Sequence, residues 1–315
     1  EITTRLVGSE MCIRDRNNRL VFTSETMMEN ETLPRRLTII GGGYIGLEFA
    51  SMYARFGSKV TILQNGSVFL PKEDRDMAEA VENVLKSYGV SVITGAGLKE
   101  IKEGTAVYTK NGEEDTLDGD AILLATGRGP NTEGLHAERA GVELTKRGAV
   151  VTDKHLRTTA ENIWAAGDVC GNLQFTYISL DDSRIILSDM QGDGSRTTEN
   201  RGAFAYSVFM EPSFSRAGLS EKEAADKGLN YRVVRMNTDM IPKAKVLRKT
   251  AGMLKAVIDK DSGKILGAAL FCPESYEIIN MVKLAMDHDL DYTVLRDFIY
   301  THPTMSEGLN DLFAL

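Results

Sequence analysis

The stretch from Arg36 to Thr94 constrains this chain most, because strand and helix patterns alternate there around a glycine turn. RLTII is a short apolar strand, GGGYIGLEFASMYARFG a glycine turn opening an amphipathic helix, and SKVTILQ a second strand. RDMAEAVENVLKSYG reads as a second helix and VSVIT as a third strand. The spacing predicts a βαβαβ unit, an α/β fold with a parallel sheet, since each helix returns the chain to start the next strand in the same direction. Gly41-Gly42-Gly43-Tyr44-Ile45-Gly46, followed by Ala50, fits GxGxxG. Gly41 permits the tight turn, Gly43 lets the backbone approach a pyrophosphate, and Gly46 allows close helix–strand packing. The helix start adds N–H groups and a positive dipole end for phosphates. Alone the pattern is a common tight turn; between a strand and a helix of a βαβ unit it predicts dinucleotide binding. The second strand ends Gln64-Asn65-Gly66-Ser67, with neither an acid for a ribose nor arginines for a 2′-phosphate. Gln64 can accept a hydrogen bond from a ribose hydroxyl, so within NAD(P)H the reading leans to NADH.

Further on, Lys110-Asn111-Gly112-Glu113 predicts a hairpin, and DAILLATG a buried strand returning to the sheet. From Arg128 to about Ser188 the pattern is mixed, with ENIWAAGD expected to be a strand ending in Gly-Asp. The polar, glycine-rich GDGSRTTENRG (192 to 202) predicts a boundary. Beyond it AYSVF, YRVVRM, MLKAVID and KILGAALF predict antiparallel strands, the last two joined at Asp261-Ser262-Gly263-Lys264, followed by helices over ESYEIINMVKLAMDHD and DYTVLRDF.

A net charge of −8 argues against nucleic acid or an anionic membrane as partner, and no apolar run approaches a membrane span. Cys170 and Cys272 lie too far apart in sequence for a local redox pair, so a reducing cytoplasm is the default. His136, His155 and His288 have no partner at ligand spacing, and no metal site is expected. Trp164 is expected to pack in a core, Cys272 to be an inert buried thiol, and Cys170 and Arg128 to be structural. The codons for Leu6 to Asp15 resemble a transposase sequencing adapter, with junction bases that would finish Arg5 and open Arg16. Residues 1–16 are therefore read as an artefact outside the fold. Their removal leaves the charge unchanged, since Glu1, Glu10 and Asp15 balance Arg5, Arg14 and Arg16.

His302-Pro303-Thr304-Met305-Ser306-Glu307 lies near the C-terminus. A histidine there can exchange protons near neutral pH, and a carboxylate can hold its ring. With IIGGGYIGLEFA, ATGRGPN, TTAENIWAAGD, FSRAGLSEKEA and HPTMSE in this order, the chain from Leu20 resembles the C-terminal two thirds of a flavin-dependent pyridine nucleotide–disulfide oxidoreductase. QFTYISLDD, LFCPESYEIINMVKLAMD and THPTMSEGLNDLF look most like its reactive-chlorine resistance branch.

The resemblance implies roles for individual residues. Gly41, Gly43 and Gly46, with Ile45 beside them, would hold the NAD(P)H pyrophosphate, and Gln64 would meet the ribose. Tyr44 would cover the flavin until nicotinamide displaces it, and Glu48 would sit near the nicotinamide. Gly127, Gly167, Asp168 and Thr176 would contact FAD, with Asp168 accepting from the ribityl chain. His302 and Glu307 would be the catalytic acid–base dyad, acting on the dithiol of the other subunit of a homodimer, with His302-Pro303 often cis. The implied domains are residues 17–32 as a remnant of an FAD domain or linker and 33–127 as a Rossmann-type NAD(P)-binding domain. Residues 128–200 would be a partial FAD-binding domain and 201–315 an α+β dimerisation domain.

The family's chemistry also uses a Cys-x4-Cys pair and an N-terminal glycine-rich FAD motif, and neither occurs in this sequence. The expectation is a piece of an NAD(P)H-dependent FAD oxidoreductase, inactive as it stands and poor at retaining FAD. Its acceptor would be a small molecule, metal ion or oxidant. Lipoamide dehydrogenase-like and mercuric reductase-like readings are alternatives. A nucleotide-binding, dimerising module without redox chemistry is the alternative of another class.

Overall fold

The computed structural model describes residues 9–11 and 19–315. The stretch read as an adapter lies outside them except for Ser9–Met11, whose backbone pairs antiparallel with Arg128–Pro130. The chain divides into two compact units. One contains residues 126–202, and the other residues 15–125 with 203–315.

In the larger unit, strands Val21–Phe22, Ala121–Leu124, Arg36–Ile40, Lys59–Gln64 and Ser91–Thr94 form, in that order, a five-stranded sheet whose pairings are all parallel. Its central strands are apolar on both faces, with Leu37, Ile39, Val60, Ile62, Ile122 and Leu123 nearly inaccessible, as a sheet covered by helices requires. The helix Tyr44–Phe56 buries Leu47, Phe49, Ala50 and Tyr53 and ends at Gly57, whose φ of 105° suits a left-handed C-cap. The helix Arg75–Ser87 buries Met77, Val81, Val84 and Leu85. Strands Ala96–Lys102, Thr105–Lys110 and Glu113–Asp118 make a small antiparallel sheet. Asn111 and Gly112 both have positive φ there, the two-residue turn that Asn-Gly favours.

The same unit holds a second five-stranded sheet, antiparallel, ordered Ala205–Val208, Phe214–Gly218, Ile265–Phe271, Met253–Asp259 and Tyr231–Asn237. Helices Ser275–Asp287 and Gly308–Ala314 cover it through Ile278, Ile279, Val282, Leu309, Leu312 and Phe313. Phe214–Gly218 is a strand that the sequence pattern does not predict. Ser215 and Arg216 interrupt its apolar run, yet both are buried and find polar partners.

In the smaller unit ENIWAAGD is not a strand, contrary to expectation. Its backbone bonds run to Leu156 and Thr158, giving one bridge, Arg157 with Trp164, before a 3-10 turn at Gly167–Cys170. The mixed region before residue 188 holds the helix Thr176–Gln191, which buries Asp181 and Asp182 beside Ile178 and Ile185. Arg196 bonds Asp181, and Arg201 bonds Asp182 at 2.7 Å.

Candidate functional site

Sterics leave little choice at the glycine turn. Gly41 has φ 111°, and its N–H donates to Leu63 O at 2.8 Å. A Cβ on Gly46 would lie 2.1 Å from Gly41 O, so only glycine lets helix and strand close up. A Cβ on Gly43 would meet nothing within 4 Å, so the space beside the turn is open. Gly43 caps the helix Tyr44–Phe56 with no side-chain hydrogen bond. First-turn N–H groups without a side-chain acceptor, in front of open space, form an anion-binding site. Ile45 is half-buried in that turn. Gln64 lies at the turn, but its Oε1 accepts from Gly42 N–H at 2.8 Å. The oxygen expected to serve a ribose is turned inward to the backbone of the turn.

Tyr44 opens the helix and donates its hydroxyl to Glu73 Oε1 at 2.9 Å. Its ring stacks on Tyr206 at 5.1 Å, and Tyr206 donates to the same carboxylate oxygen. Arg216 lies 3.5 Å from Glu73 Oε2, donates to Lys72 O at 2.9 Å and pairs with Glu223. Burial first, then the Glu73 charge, pushes both phenols well above the usual tyrosine value. One turn on, Glu48 Oε1 accepts from Phe209 N–H at 2.9 Å. Burial raises its carboxyl, partly offset by that hydrogen bond. Two helix residues singled out from the sequence are therefore anchored by residues 206 to 209. Glu73, Tyr206 and Arg216 escaped sequence reading because partners separated by 133 and 143 residues leave no local pattern.

The structure brings His302 and Glu307 together, Nδ1 to Oε2 at 2.7 Å. A carboxylate only accepts, so Nδ1 donates its N–H to Glu307 and Nε2 is the ring nitrogen turned away from it. Glu307 is held by Thr304 N–H on its other oxygen at 3.0 Å, and the His302–Pro303 peptide is cis. With 69% of the His302 side chain exposed and 15% of Glu307, the imidazole faces solvent while its carboxylate partner is held in place.

In the smaller unit, Gly127 has φ 116°, and a Cβ there would meet nothing within 4 Å. Gly167, at φ 75°, donates its N–H to Asp182 Oδ2 at 2.8 Å, and a Cβ there would come 2.6 Å from Ser179 Oγ. That close approach presses the Gly167-Asp168 turn against the first turns of the helix beginning at Thr176. This helix also starts without a side-chain cap. Arg128 Nε lies 4.0 Å from Asp168 Oδ2. The open space at Gly127, the close approach at Gly167 and a helix start without a side-chain cap stand together in this unit.

Trp164 donates Nε1–H to Asp189 Oδ2 at 2.9 Å. Cys170 and Cys272 are buried, and burial pushes each thiol up to about 12. Among the described residues no group of three or more His, Cys, Asp or Glu could hold a metal ion, and no helix is long and apolar enough to cross a membrane.

Residues 13–183 match the pyridine nucleotide-disulphide oxidoreductase family, and residues 204–313 its dimerisation domain. Over 295 residues the chain is 50% identical to an Escherichia coli protein described as a probable pyridine nucleotide-disulfide oxidoreductase, RclA, covering 94% of this chain and 67% of that one. It is 33% identical to a mercuric reductase of Staphylococcus aureus, covering 91% of this chain and 53% of that one. For a dihydrolipoyl dehydrogenase of Geobacillus stearothermophilus the identity is 32%, over 92% of this chain and 62% of that one. The chain thus spans between about half and two thirds of the length of these relatives. The solved structure of the HOCl-induced flavoprotein disulfide reductase RclA from Escherichia coli superposes with a TM-score of 0.93 at 46% identity, covering 98% of this chain and 72% of that one. The family's members are FAD-dependent enzymes that work with NAD(P)H. By these matches over both of its parts, the chain belongs to the pyridine nucleotide-disulphide oxidoreductases.

Proposed function

We propose that this chain is the NAD(P)H-binding, proton-handling and dimerising portion of an FAD-dependent oxidoreductase. The glycine turn carries the reading: glycine is enforced at Gly46, open space lies at Gly43, and an uncapped helix end faces it. Gly41, Gly43 and Gly46 let backbone N–H groups bind the nucleotide pyrophosphate, with Ile45 packing the first turn. Tyr44 would be the ring that covers the flavin until nicotinamide displaces it, and Glu48 would stand beside the nicotinamide. Gly127 and Gly167 would admit the cofactor, Asp168 would hold the FAD ribityl chain by accepting a hydrogen bond, and the backbone at Thr176 would meet the flavin edge. FAD, when bound, supplies a two-electron relay between a hydride donor and an acceptor.

His302 Nε2 takes a proton from a thiol and returns it. Glu307 stabilises the imidazolium and fixes the tautomer. The pair serves the dithiol of the other subunit in a homodimer. Phe298, Ile299, Leu284 and Val246 expose the apolar surface that such an interface covers. The relatives include mercuric reductases, and a metal ion or an oxidant is the acceptor class proposed here. The test uses the longer protein that carries the dithiol, FAD-loaded and without oxygen. His302→Gln should leave flavin bleaching by NADH within about two-fold but slow reoxidation by a disulfide acceptor ~10²–10⁴-fold. Slowed bleaching with unchanged reoxidation would contradict the assignment.

A further inference from the structure

We infer that Gln64 makes the nucleotide site accept a 2′-phosphate and a 2′-hydroxyl alike, so that the chain binds NADPH as readily as NADH. The inference rests on the nucleotide reading of the glycine turn.

Gln64 is the last residue of the strand Lys59–Gln64, the place in a βαβ unit where a side chain meets the adenosine ribose. A backbone N–H can bond only to an acceptor, so Gly42 N–H fixes the amide with Oε1 inward at 2.8 Å. Nε2 must then face away from the turn. It lies 3.2 Å from the Cβ position of Gly66, along the exposed residues Asn65, Gly66 and Ser67. The outward edge is therefore an N–H donor. A donor bonds a ribose hydroxyl oxygen or a phosphate oxygen, whereas an acid there would accept from the hydroxyl and repel the phosphate.

No cation reverses this balance from the same loop by a fixed clamp. Arg75, further along the same loop, donates to the carbonyls of Phe69, Leu70 and Glu73. Among the described residues of this loop, 64–67 include no acid to reject a 2′-phosphate, and Arg75 is taken up by carbonyls rather than held as a fork for one. Sequence reading weighed Gln64 by its oxygen, and the fold presents its nitrogen.

The test titrates the full chain with NADH and with NADPH, following nucleotide fluorescence and checking the melting temperature of each variant. The wild-type dissociation constants should agree within about three-fold. Gln64→Glu keeps an oxygen for Gly42 N–H but turns the outward edge into an acceptor, and should weaken NADPH relative to NADH by about ten-fold or more. Ser67→Asp adds the same charge without touching the turn and should shift the ratio in the same direction. A wild type that binds NADPH ten-fold more weakly overturns the inference, as does a ratio that neither variant moves. Binding of neither nucleotide overturns the parent reading itself, and that result is distinct from an unmoved ratio.

Discussion

Lys255 offers a prediction whose size follows from its surroundings. Its side chain is 2% exposed, with Nζ 2.9 Å from Asp74, 2.9 Å from Asp76 and 2.7 Å from Glu221. It joins the strand Met253–Asp259 to the start of the helix Arg75–Ser87, and so fixes a helix of the parallel sheet against the antiparallel sheet. Breaking a buried pair costs about 3–5 kcal/mol and an exposed one about 0–1. After Lys255→Met, Asp74 keeps hydrogen bonds from Glu221 N and Lys222 N, and Arg235 still pairs with Asp76 and Glu221. The expected loss is therefore intermediate, about 2–3 kcal/mol near pH 7. Burial pushes Asp74 and Asp76 up, but the bonds from Lys255 and Arg235 and from backbone N–H groups outweigh it and leave both carboxyls below their usual value. Burial lowers Lys255, and its three carboxylates more than restore it, leaving it raised.

The depressed carboxyls stabilise the fold above their unfolded value, about 3.9 for Asp, and lose that contribution as pH falls through their folded values. The raised lysine stabilises below its unfolded value, about 10.4, and loses that contribution as pH rises through its folded one. The gap between mutant and wild type should be widest between about pH 4 and 10 and should narrow as pH falls below that window through the depressed folded values of Asp74 and Asp76. Trp164 lies in the other unit, so hydrogen exchange along Met253–Asp259 during urea unfolding is the readout. A gap that widens as pH falls below about 4, or one under about 1 kcal/mol at pH 7, would refute the reasoning.

Tyr44→Phe should cost about 1–2 kcal/mol in chemical unfolding, since it deletes one hydroxyl bonded to the buried Glu73 carboxylate; no loss would show that bond to be idle. Cys170 and Cys272, with thiols pushed up to about 12, should resist iodoacetamide near pH 8 in the folded chain and react once urea exposes them. Rapid labelling of either in the native chain, mapped by mass spectrometry, would contradict their burial.

Local patterns made much of the fold legible. The turn at Asn111-Gly112, the helix after Gly43 and the apolar strands 36–40 and 59–64 each follow from residues within a few positions of one another. The pairing of His302 with Glu307 was legible for the same reason, five residues apart. What sequence reading missed depends on distant partners. The helix Thr176–Gln191 turns Asp181 and Asp182 inward, which hides its apolar period until Arg196 and Arg201 are seen to pair with them. The strand Phe214–Gly218 carries Arg216, which suits a sheet interior only because Glu73 lies 3.5 Å away. ENIWAAGD has strand-like composition, but its bonds go to a short hairpin. At Gln64 the residue type was plain, while the direction of its amide was set by Gly42 N–H.

The central claim, that a nicotinamide nucleotide binds at the glycine turn, is tested most directly by titrating NADH into wild type and Gly43→Val and comparing their melting curves. A Cβ at Gly43 meets nothing within 4 Å, and the residue's φ of −80° suits any side chain. The substitution should cost the fold no more than about 1 kcal/mol while filling the space the pyrophosphate needs. Saturable binding by the wild type, lost in a Gly43→Val variant that melts within a few degrees of it, is the predicted result. Equal affinity in both would mean that the nucleotide does not sit on this turn.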